Sequence, residues 1–193
     1  MTLAAALLAG GQSRRMGRDK ATLALGGAPL WRRQLEILRQ LGPSALLVSG
    51  REIPAWLPAD TRFIPDELPG RGPLGGVAAS LAAAPATHLL ALAIDMPAMT
   101  ARHLAELWAD ASPACGVLPW LEDHPEPLAA IYPAEALPVA QAHLAGPDAS
   151  MNAFTAALLK AGLMKKHRIA ARDSELYSNC NSPADWQSHA FHD

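Results

Sequence analysis

The chain has 193 residues, of which 50% are apolar and 18% charged, and its formal net charge is −2. That length suits a single domain over residues 1–193. A chain without excess basic charge is not typical of a general nucleic-acid-binding protein, and the composition excludes disordered, collagen-like and disulfide-scaffold proteins. Because no apolar run approaches the ~20 residues of a membrane span, we expect a cytoplasmic protein that binds neither membranes nor nucleic acid.

Apolar runs and helical spacings alternate along the chain. Buried strands are predicted at 3–9, 45–48, 62–64, 89–94, 115–118 and 128–132. Helices are predicted from Pro29 to Leu41, at 75–84, after a Thr100 cap, and at 134–144, 150–161 and 183–189. This alternation implies right-handed crossovers and a mainly parallel sheet with helices on both faces, which is an α/β fold.

Polar residues follow two of the predicted strands. Open α/β sheets bind ligands at the carboxyl ends of their strands. The loop after the first strand and Asp95 after the fourth both fall there. Since an Asp after a strand is also a common turn or cap residue, Asp95 by itself does not identify a binding site.

The loop after the first strand has the composition of a phosphate-binding loop. It reads LAGGQSRRMGRDK from Leu8 to Lys20. Its glycines allow backbone N–H groups to approach a ligand closely, and four cationic side chains lie within its last seven residues: Arg14, Arg15, Arg18 and Lys20. Neither the spacing of a P-loop nor that of a dinucleotide-binding fingerprint is present. A cradle for a polyphosphate and a surface loop with solvated arginines are both compatible with the composition alone.

The order of residues in this loop resembles the signature loop of the molybdenum cofactor guanylyltransferases, within a larger family of Rossmann-like nucleotidyltransferases. Three later segments resemble that family in the same order. They are Asp66 followed by Gly-Pro-Leu-Gly-Gly at 72–76, Asp-Met-Pro at 95–97, and Asn-Cys-Asn-Ser-Pro at 179–183. The resemblance implies a Rossmann-like three-layer α/β/α sandwich of the nucleotide-diphospho-sugar transferase type.

The resemblance also implies a reaction, in which GMP is transferred from GTP to the terminal phosphate of molybdopterin and pyrophosphate leaves. The attacking phosphate oxygen is already ionised at neutral pH, so no general base is needed. Metal ions and fixed cations must instead stabilise the charge on the pyrophosphate. Asp95 is accordingly expected to bind Mg²⁺, or Mn²⁺ in its place, while Arg15 and Lys20 contact the triphosphate as the other catalytic residues.

The nucleotide site implied by the resemblance extends over several loops. Ser49 stands roughly where some members carry an Asn that contacts the nucleotide, which weakens the expectation there. Asp66 is the candidate acceptor for the guanine N–H groups. The complete set is Leu8, Ala9, Gly10, Gly11, Lys20, Ser49, Asp66 and Asp95.

Molybdopterin is expected to contact His124, Asn179 and Asn181. In sibling nucleotidyltransferases a second metal-binding Asp stands where this chain has Asn181, so Asn181 has either a pterin contact or a shared role in metal binding. Trp120 is either a packing residue or a stacking surface for the pterin. Transient contacts with molybdenum-insertion and acceptor proteins are expected as well.

Three other functions remain open at this point. A molybdopterin cytidylyltransferase is the nearest, although Leu-Ala-Gly-Gly at 8–11 favours guanine. A sugar-phosphate nucleotidyltransferase is a further alternative, because the loop pattern is loosely shared. The third is a nucleotide-binding partner without catalysis, against which the presence of Arg15, Lys20 and Asp95 argues.

Overall fold

The computed structural model describes residues 1–10, 20–25, 27–66 and 71–180, apart from the Leu25 side chain. The strands in these ranges are β1 (Leu3–Leu8), β2 (Ala24–Leu25), β3 (Ala28–Pro29), β4 (Ala45–Gly50), β5 (Arg62–Pro65), β6 (His88–Ala93), β7 (Gly116–Leu121), β8 (His124–Pro125), β9 (Ala129–Pro133) and β10 (Met164–Arg168). The α-helices there are α1 (Leu30–Arg39), α2 (Pro73–Ala83), α3 (Ala101–Asp110), α4 (Ala136–Ala145) and α5 (Met151–Lys160). Lys20–Thr22 and Ala171–Tyr177 form 3₁₀ helices.

The main sheet of this described part has eight strands in the order β10-β7-β9-β6-β1-β4-β5, with β8 paired to β7. The pairs β1–β4, β1–β6, β4–β5 and β7–β10 are parallel. Strand β9 runs antiparallel to both β6 and β7. The sheet is therefore mixed with mostly parallel strands, as the alternating pattern predicted.

Two apolar layers cover the faces of the sheet. Alternate residues of β1 point to opposite faces, and all six are buried. Ala5 and Leu7 belong to the cluster that includes residues of α1 and α3, whereas Ala4, Ala6 and Leu8 belong to the cluster that includes residues of α2, α4 and α5. We call these the α1–α3 layer and the α2–α4–α5 layer. The two helical layers and the sheet confirm the predicted three-layer α/β/α sandwich.

Most predicted elements are confirmed, with ends that differ by a few residues. Pro29 is an exception, because it pairs with Ala24 in the β2–β3 ladder and α1 begins at Leu30. Thr100 caps α3 as predicted, since its Oγ1 accepts the His103 N–H at 3.3 Å. The predicted helix at 183–189 lies outside the described residues.

Strand β10 and the 3₁₀ helix Ala171–Tyr177 were not predicted. The sequence of β10 is MKKHR, and Met164 is its one buried residue, so it lacks the apolar run or alternation that indicates a strand. Its position in the sheet depends on parallel pairing with β7. Within the ranges given above, none of the helices has the length and apolar character needed to cross a bilayer.

Candidate active site

The carboxyl ends of the central strands lie level with one another. Leu8 at the end of β1 is in register with Ser49 of β4 and Ala93 of β6. Hydrogen bonds continue this alignment into the loops: the Ala9 N–H donates to the Ser49 carbonyl at 2.8 Å and the Ile94 N–H to the Leu8 carbonyl at 3.2 Å. The segments that begin at Ala9, after β4 and at Asp95 therefore start side by side at one edge of the sheet.

Lys20 and Asp95 meet at this edge although they lie 75 residues apart in the chain. The Lys20 Nζ is 3.5 Å from Asp95 Oδ2, and the two side chains are 16% and 26% exposed. The partial burial limits screening by water, so the two charges act on a ligand more strongly than a pair in bulk solvent would. At the carboxyl ends of the strands, the ammonium can therefore pair with a phosphate and the carboxylate with the metal counterion of that phosphate.

The donor set at Asp95 fits a magnesium ion that shares its coordination with substrate. No group of three His, Cys, Asp or Glu side chains that could hold a metal occurs among the described residues. Asp95 can supply an oxygen ligand to such an ion, with phosphate oxygens and water among the other ligands. Mg²⁺ is commonly bound in this way, through one or two carboxylates and the phosphates of a nucleotide.

The backbone around Asp95 is anchored by two distant parts of the chain. The Asp95 carbonyl accepts the Cys180 N–H at 2.9 Å, and the carbonyl of the next residue, Met96, accepts Gln34 Nε2 at 2.6 Å. Asn179 precedes Cys180 and is exposed. The structure thus places the segment that carries Asn179 against the Asp95 loop.

Asp66 and Ser49 differ in how the structure places them. Asp66 follows β5, and its N–H donates to the Gly50 carbonyl at 2.8 Å, which fixes it next to the end of β4. The Ser49 side chain is 2% exposed and lies under α2, where a Cβ added to Gly76 would be 2.9 Å from the Ser49 Oγ. Ser49 is therefore packed between sheet and helix, and this burial does not support a side-chain contact with a nucleotide.

A cleft of about 450 Å³ opens beside Ala9 and Gly10. Trp56 lines it and stacks on Trp31 of α1, with ring centroids 5.2 Å apart and planes at 8°. Arg51 and Glu52, which directly follow β4, also line this cleft. Sequence reasoning missed them, although the rule that selected Asp95, a polar residue after a strand end, applies to them equally.

His124 lies at the same edge of the sheet as Asp95 but two strands away. Because β6 and β7 both run antiparallel to β9, they run in the same direction and end at the same edge. His124 pairs with Leu121 at the end of β7, and its Nε2 is 3.3 Å from Glu126 Oε1. Burial raises the pKa of the Glu126 carboxyl. The structure does not bring His124 into contact with Lys20 or Asp95.

Trp120 has one ring face already covered, since the Lys166 Nζ lies 3.4 Å from the ring centroid. This cation–π contact supports the interpretation of Trp120 as a packing residue. Three of the predicted site residues, Gly11, Arg15 and Asn181, lie outside the described residues.

A family model described as a MobA-like NTP transferase domain matches residues 5–161. The chain belongs to this family. It is therefore a nucleotidyltransferase, and the resemblance drawn from the loop at 8–20 is confirmed.

Full-length relatives support the assignment to the MobA-like family. The chain is 39% identical over 186 residues to a probable molybdenum cofactor guanylyltransferase of Opitutus terrae, covering 95% of this chain and 92% of that protein. It is 36% identical to the molybdenum cofactor guanylyltransferase of Xanthomonas euvesicatoria pv. vesicatoria, covering 93% and 90% of the two chains.

Solved structures of the MobA-like fold agree with the architecture. The molybdopterin-guanine dinucleotide biosynthesis protein A of Archaeoglobus fulgidus superposes with a TM-score of 0.74 at 22% identity, covering 97% of this chain and 96% of that one. The 2-C-methyl-D-erythritol 4-phosphate cytidylyltransferase of Thermus thermophilus gives 0.70 at 18% identity, covering 98% of both. Since proteins named for different substrates share the fold, the fold does not identify the substrate.

Proposed function

We propose that this nucleotidyltransferase transfers GMP from GTP to the terminal phosphate of molybdopterin, giving a guanine dinucleotide and pyrophosphate. The observation that carries the proposal is the pairing of Lys20 and Asp95 at the carboxyl edge. The names of the relatives that match over most of the chain supply the substrates. We propose that the reaction takes place in the cytoplasm.

The chain's own groups position the reactants and compensate charge. The Lys20 ammonium donates hydrogen bonds to phosphate oxygens of GTP, and Arg15 is predicted to do the same. The Asp95 carboxylate, with substrate oxygens, is the donor set for Mg²⁺ or Mn²⁺, which when bound supplies positive charge to the leaving pyrophosphate. No side chain has to remove a proton from the attacking phosphate, because that oxygen is already ionised.

Guanine recognition is assigned to the backbone after β1 and to Asp66. Guanine presents N–H donors at N1 and N2, so its pocket needs acceptors. The Asp66 carboxylate can accept both, and its backbone is fixed by the hydrogen bond to Gly50. Backbone groups of Leu8, Ala9 and Gly10 approach the ring closely, because a glycine and a small side chain leave room there.

Molybdopterin is assigned to the side of the Asp95 loop where Asn179 lies. The hydrogen bond from Cys180 to Asp95 supports this, because it holds the neighbouring Asn179 close to the predicted metal ligand. Contacts with Asn181 and His124, and transient binding of molybdenum-insertion and acceptor proteins, stay predictions.

The test is pyrophosphate release by the purified protein with each of the four NTPs and Mg²⁺, with and without molybdopterin. Release with GTP that depends on molybdopterin, together with a guanine dinucleotide detected by mass spectrometry, is the expected result. A preference for CTP would make the chain a molybdopterin cytidylyltransferase. Release that depends on an added sugar phosphate instead of molybdopterin would identify the sugar phosphate as the acceptor. Absence of release with any acceptor would indicate nucleotide binding without catalysis.

A further inference from the structure

Gln34 is a fully buried amide in α1 that contacts the Asp95 loop. Its exposed fraction is 0%, and its Nε2 donates to the Met96 carbonyl at 2.6 Å, across 62 residues of sequence. Its Oε1 has no hydrogen-bond partner among the described residues. Glutamine is mostly exposed in folded proteins, so a buried one with half of its amide unpaired requires an explanation.

Packing does not explain this glutamine. Its neighbours in α1, Leu30, Leu35 and Leu38, are apolar and 0% exposed. A methionine has nearly the same length and would place no unpaired oxygen in this layer, and burying an unpaired polar atom is unfavourable. On stability alone an apolar residue would be preferred at position 34.

Satisfying the Met96 carbonyl does not explain it either. That carbonyl already accepts the Met99 N–H at 3.2 Å within its own turn. The bond from Gln34 is shorter and comes from a different element, so its distinct effect is to tie the turn after Asp95 to α1.

Two backbone hydrogen bonds hold the residues that precede Met96 as well. The Asp95 carbonyl accepts the Cys180 N–H at 2.9 Å, and the preceding Ile94 N–H donates to the Leu8 carbonyl. Of these three tethers, Gln34 supplies the one that comes from a side chain. It can therefore be altered by mutation without changing the backbone that makes the other two.

We propose that Gln34 is a positioning residue for Asp95. By holding the Met96 carbonyl, it fixes the backbone from which the Asp95 carboxylate extends, and so sets where that carboxylate meets a metal ion shared with the nucleotide. The part that concerns the metal rests on the proposed function. The tethering of the loop to α1 does not.

The variant that tests this is Gln34→Met, which keeps the length of the side chain and removes the donor. We expect its urea midpoint to equal or exceed that of the wild type. Amide hydrogen exchange in a peptide covering 94–99, followed by mass spectrometry, should become at least tenfold faster. The concentration of Mn²⁺ that half-saturates the protein with GTP, measured by electron paramagnetic resonance, should rise severalfold, while KM for GTP at saturating metal stays within twofold.

Ser80→Ala is the matched control, because Ser80 is also 0% exposed and its buried oxygen has no hydrogen-bond partner within the described part of the chain, but it lies in α2 on the opposite face of the sheet. It should leave both the exchange at 94–99 and the Mn²⁺ affinity unchanged. Unaltered exchange in Gln34→Met would overturn the proposal, and so would faster exchange with unaltered Mn²⁺ affinity.

Two further outcomes also decide the matter. If Gln34→Met does not fold, Gln34→Leu, which also removes the donor and is apolar like its neighbours in this layer, is judged by the same exchange and Mn²⁺ criteria. Failure of both to fold would overturn the proposal, since Gln34 would then be required for the core. Absence of Mn²⁺ binding by the wild-type protein with GTP would instead contradict the proposed function, and the exchange data would still decide the tether.

Discussion

The two layers that cover the sheet use buried polar groups in different ways. In the α1–α3 layer, such groups reach distant parts of the chain: Gln34 bonds to Met96, and His103 Nε2 lies 2.7 Å from the Tyr177 hydroxyl. In the α2–α4–α5 layer they act locally, since Thr155 Oγ1 donates to the Met151 carbonyl one turn earlier in α5. The Ser80 hydroxyl in the same layer has no hydrogen-bond partner among the residues that the structure describes.

The difference indicates that the two layers have different roles. Gln34 holds the loop of Asp95, and Tyr177 leads directly into the segment whose Cys180 N–H bonds to Asp95. The α1–α3 layer therefore connects, through specific hydrogen bonds, to the edge of the sheet where Lys20 and Asp95 meet. The α2–α4–α5 layer contributes mainly apolar packing. Mutations in the two layers should accordingly have different effects on activity and on stability.

The largest effect is expected for Asp95→Asn, which keeps the shape of the side chain and removes its charge. We expect kcat for nucleotidyl transfer to fall by about a thousandfold, since removing one electrostatic contact with the transition state costs 10²–10³ in rate. The melting temperature should change little, because Asp95 is partly exposed.

Asp110→Asn is the control for this variant. Asp110 bonds to Lys165 at 2.7 Å and to His167 at 2.9 Å, and the Lys165 hydrogen bond holds the pKa of its carboxyl below the usual range. Its loss should affect stability and leave kcat within about twofold. Near-normal Mg²⁺-dependent turnover in Asp95→Asn would remove Asp95 from the site.

Phe154→Ala in the α2–α4–α5 layer should cost a comparable amount of free energy, but as a loss in the free energy of unfolding and not in the activation barrier. Phe154 is 0% exposed and stacks on Tyr132, with centroids 5.6 Å apart. Its truncation should lower the free energy of unfolding by about 3–5 kcal/mol. Urea denaturation measures this, with Phe154→Leu as the milder variant. If the folded fraction of Phe154→Ala showed a hundredfold lower kcat, the division between the layers would be wrong.

A smaller loss is expected for Lys20→Met. Removing the ammonium should lower kcat/KM for GTP by about a hundredfold, because Lys20 is assigned to the triphosphate. Lys165→Met removes an equal charge from β10, which is three strands away from β6 in the sheet, and should change kcat/KM by less than twofold. Equal effects of the two substitutions would indicate a general electrostatic contribution in place of a specific contact.

The smallest effect is a pH dependence of stability in the α1–α3 layer. Burial lowers the pKa values of His88 and His103, so the unfolded chain binds protons more readily than the folded one. Their contribution is fully present above pH 6.5 and is lost as the pH falls below it. The urea midpoint of the wild type should decrease from pH 7.5 to 5.5, and His103→Gln should reduce that decrease. A midpoint that rose towards pH 5.5 would contradict this.

Much of the fold could be predicted because its buried strands are short apolar runs. The strand at 3–9 and the strand at 89–94 have no polar face, which is typical of central parallel strands. Strand β10 could not be predicted from MKKHR, because its place depends on pairing with β7 and not on a buried face.

The site was predictable where a loop motif and a strand end coincide. Lys20 and Asp95 were both proposed from the sequence, and the structure brings them within 3.5 Å. Ser49 was assigned by its position relative to the family, yet adjacent residues of a strand face opposite sides, and Ser49 packs under α2 whereas Val48 lines the cleft. The helical spacing of α1 puts Gln34 on the same face as Leu30 and Leu38, but its hydrogen bond to the distant Met96 carbonyl could not be predicted, because such a bond leaves no periodic signal.

The hydrogen bond between Cys180 and Asp95 affects the order in which contacts form while the chain is being synthesised. Asp95 follows β6, a central strand, which leaves the ribosome long before the segment that supplies the Cys180 N–H. A growing chain can therefore pair β1, β4 and β6 while the carbonyl of Asp95 still lacks this partner. The Asp95 loop has all of its backbone hydrogen bonds only when residue 180 has left the ribosome, so a nascent chain that ends earlier should have the central sheet without a fully anchored Asp95.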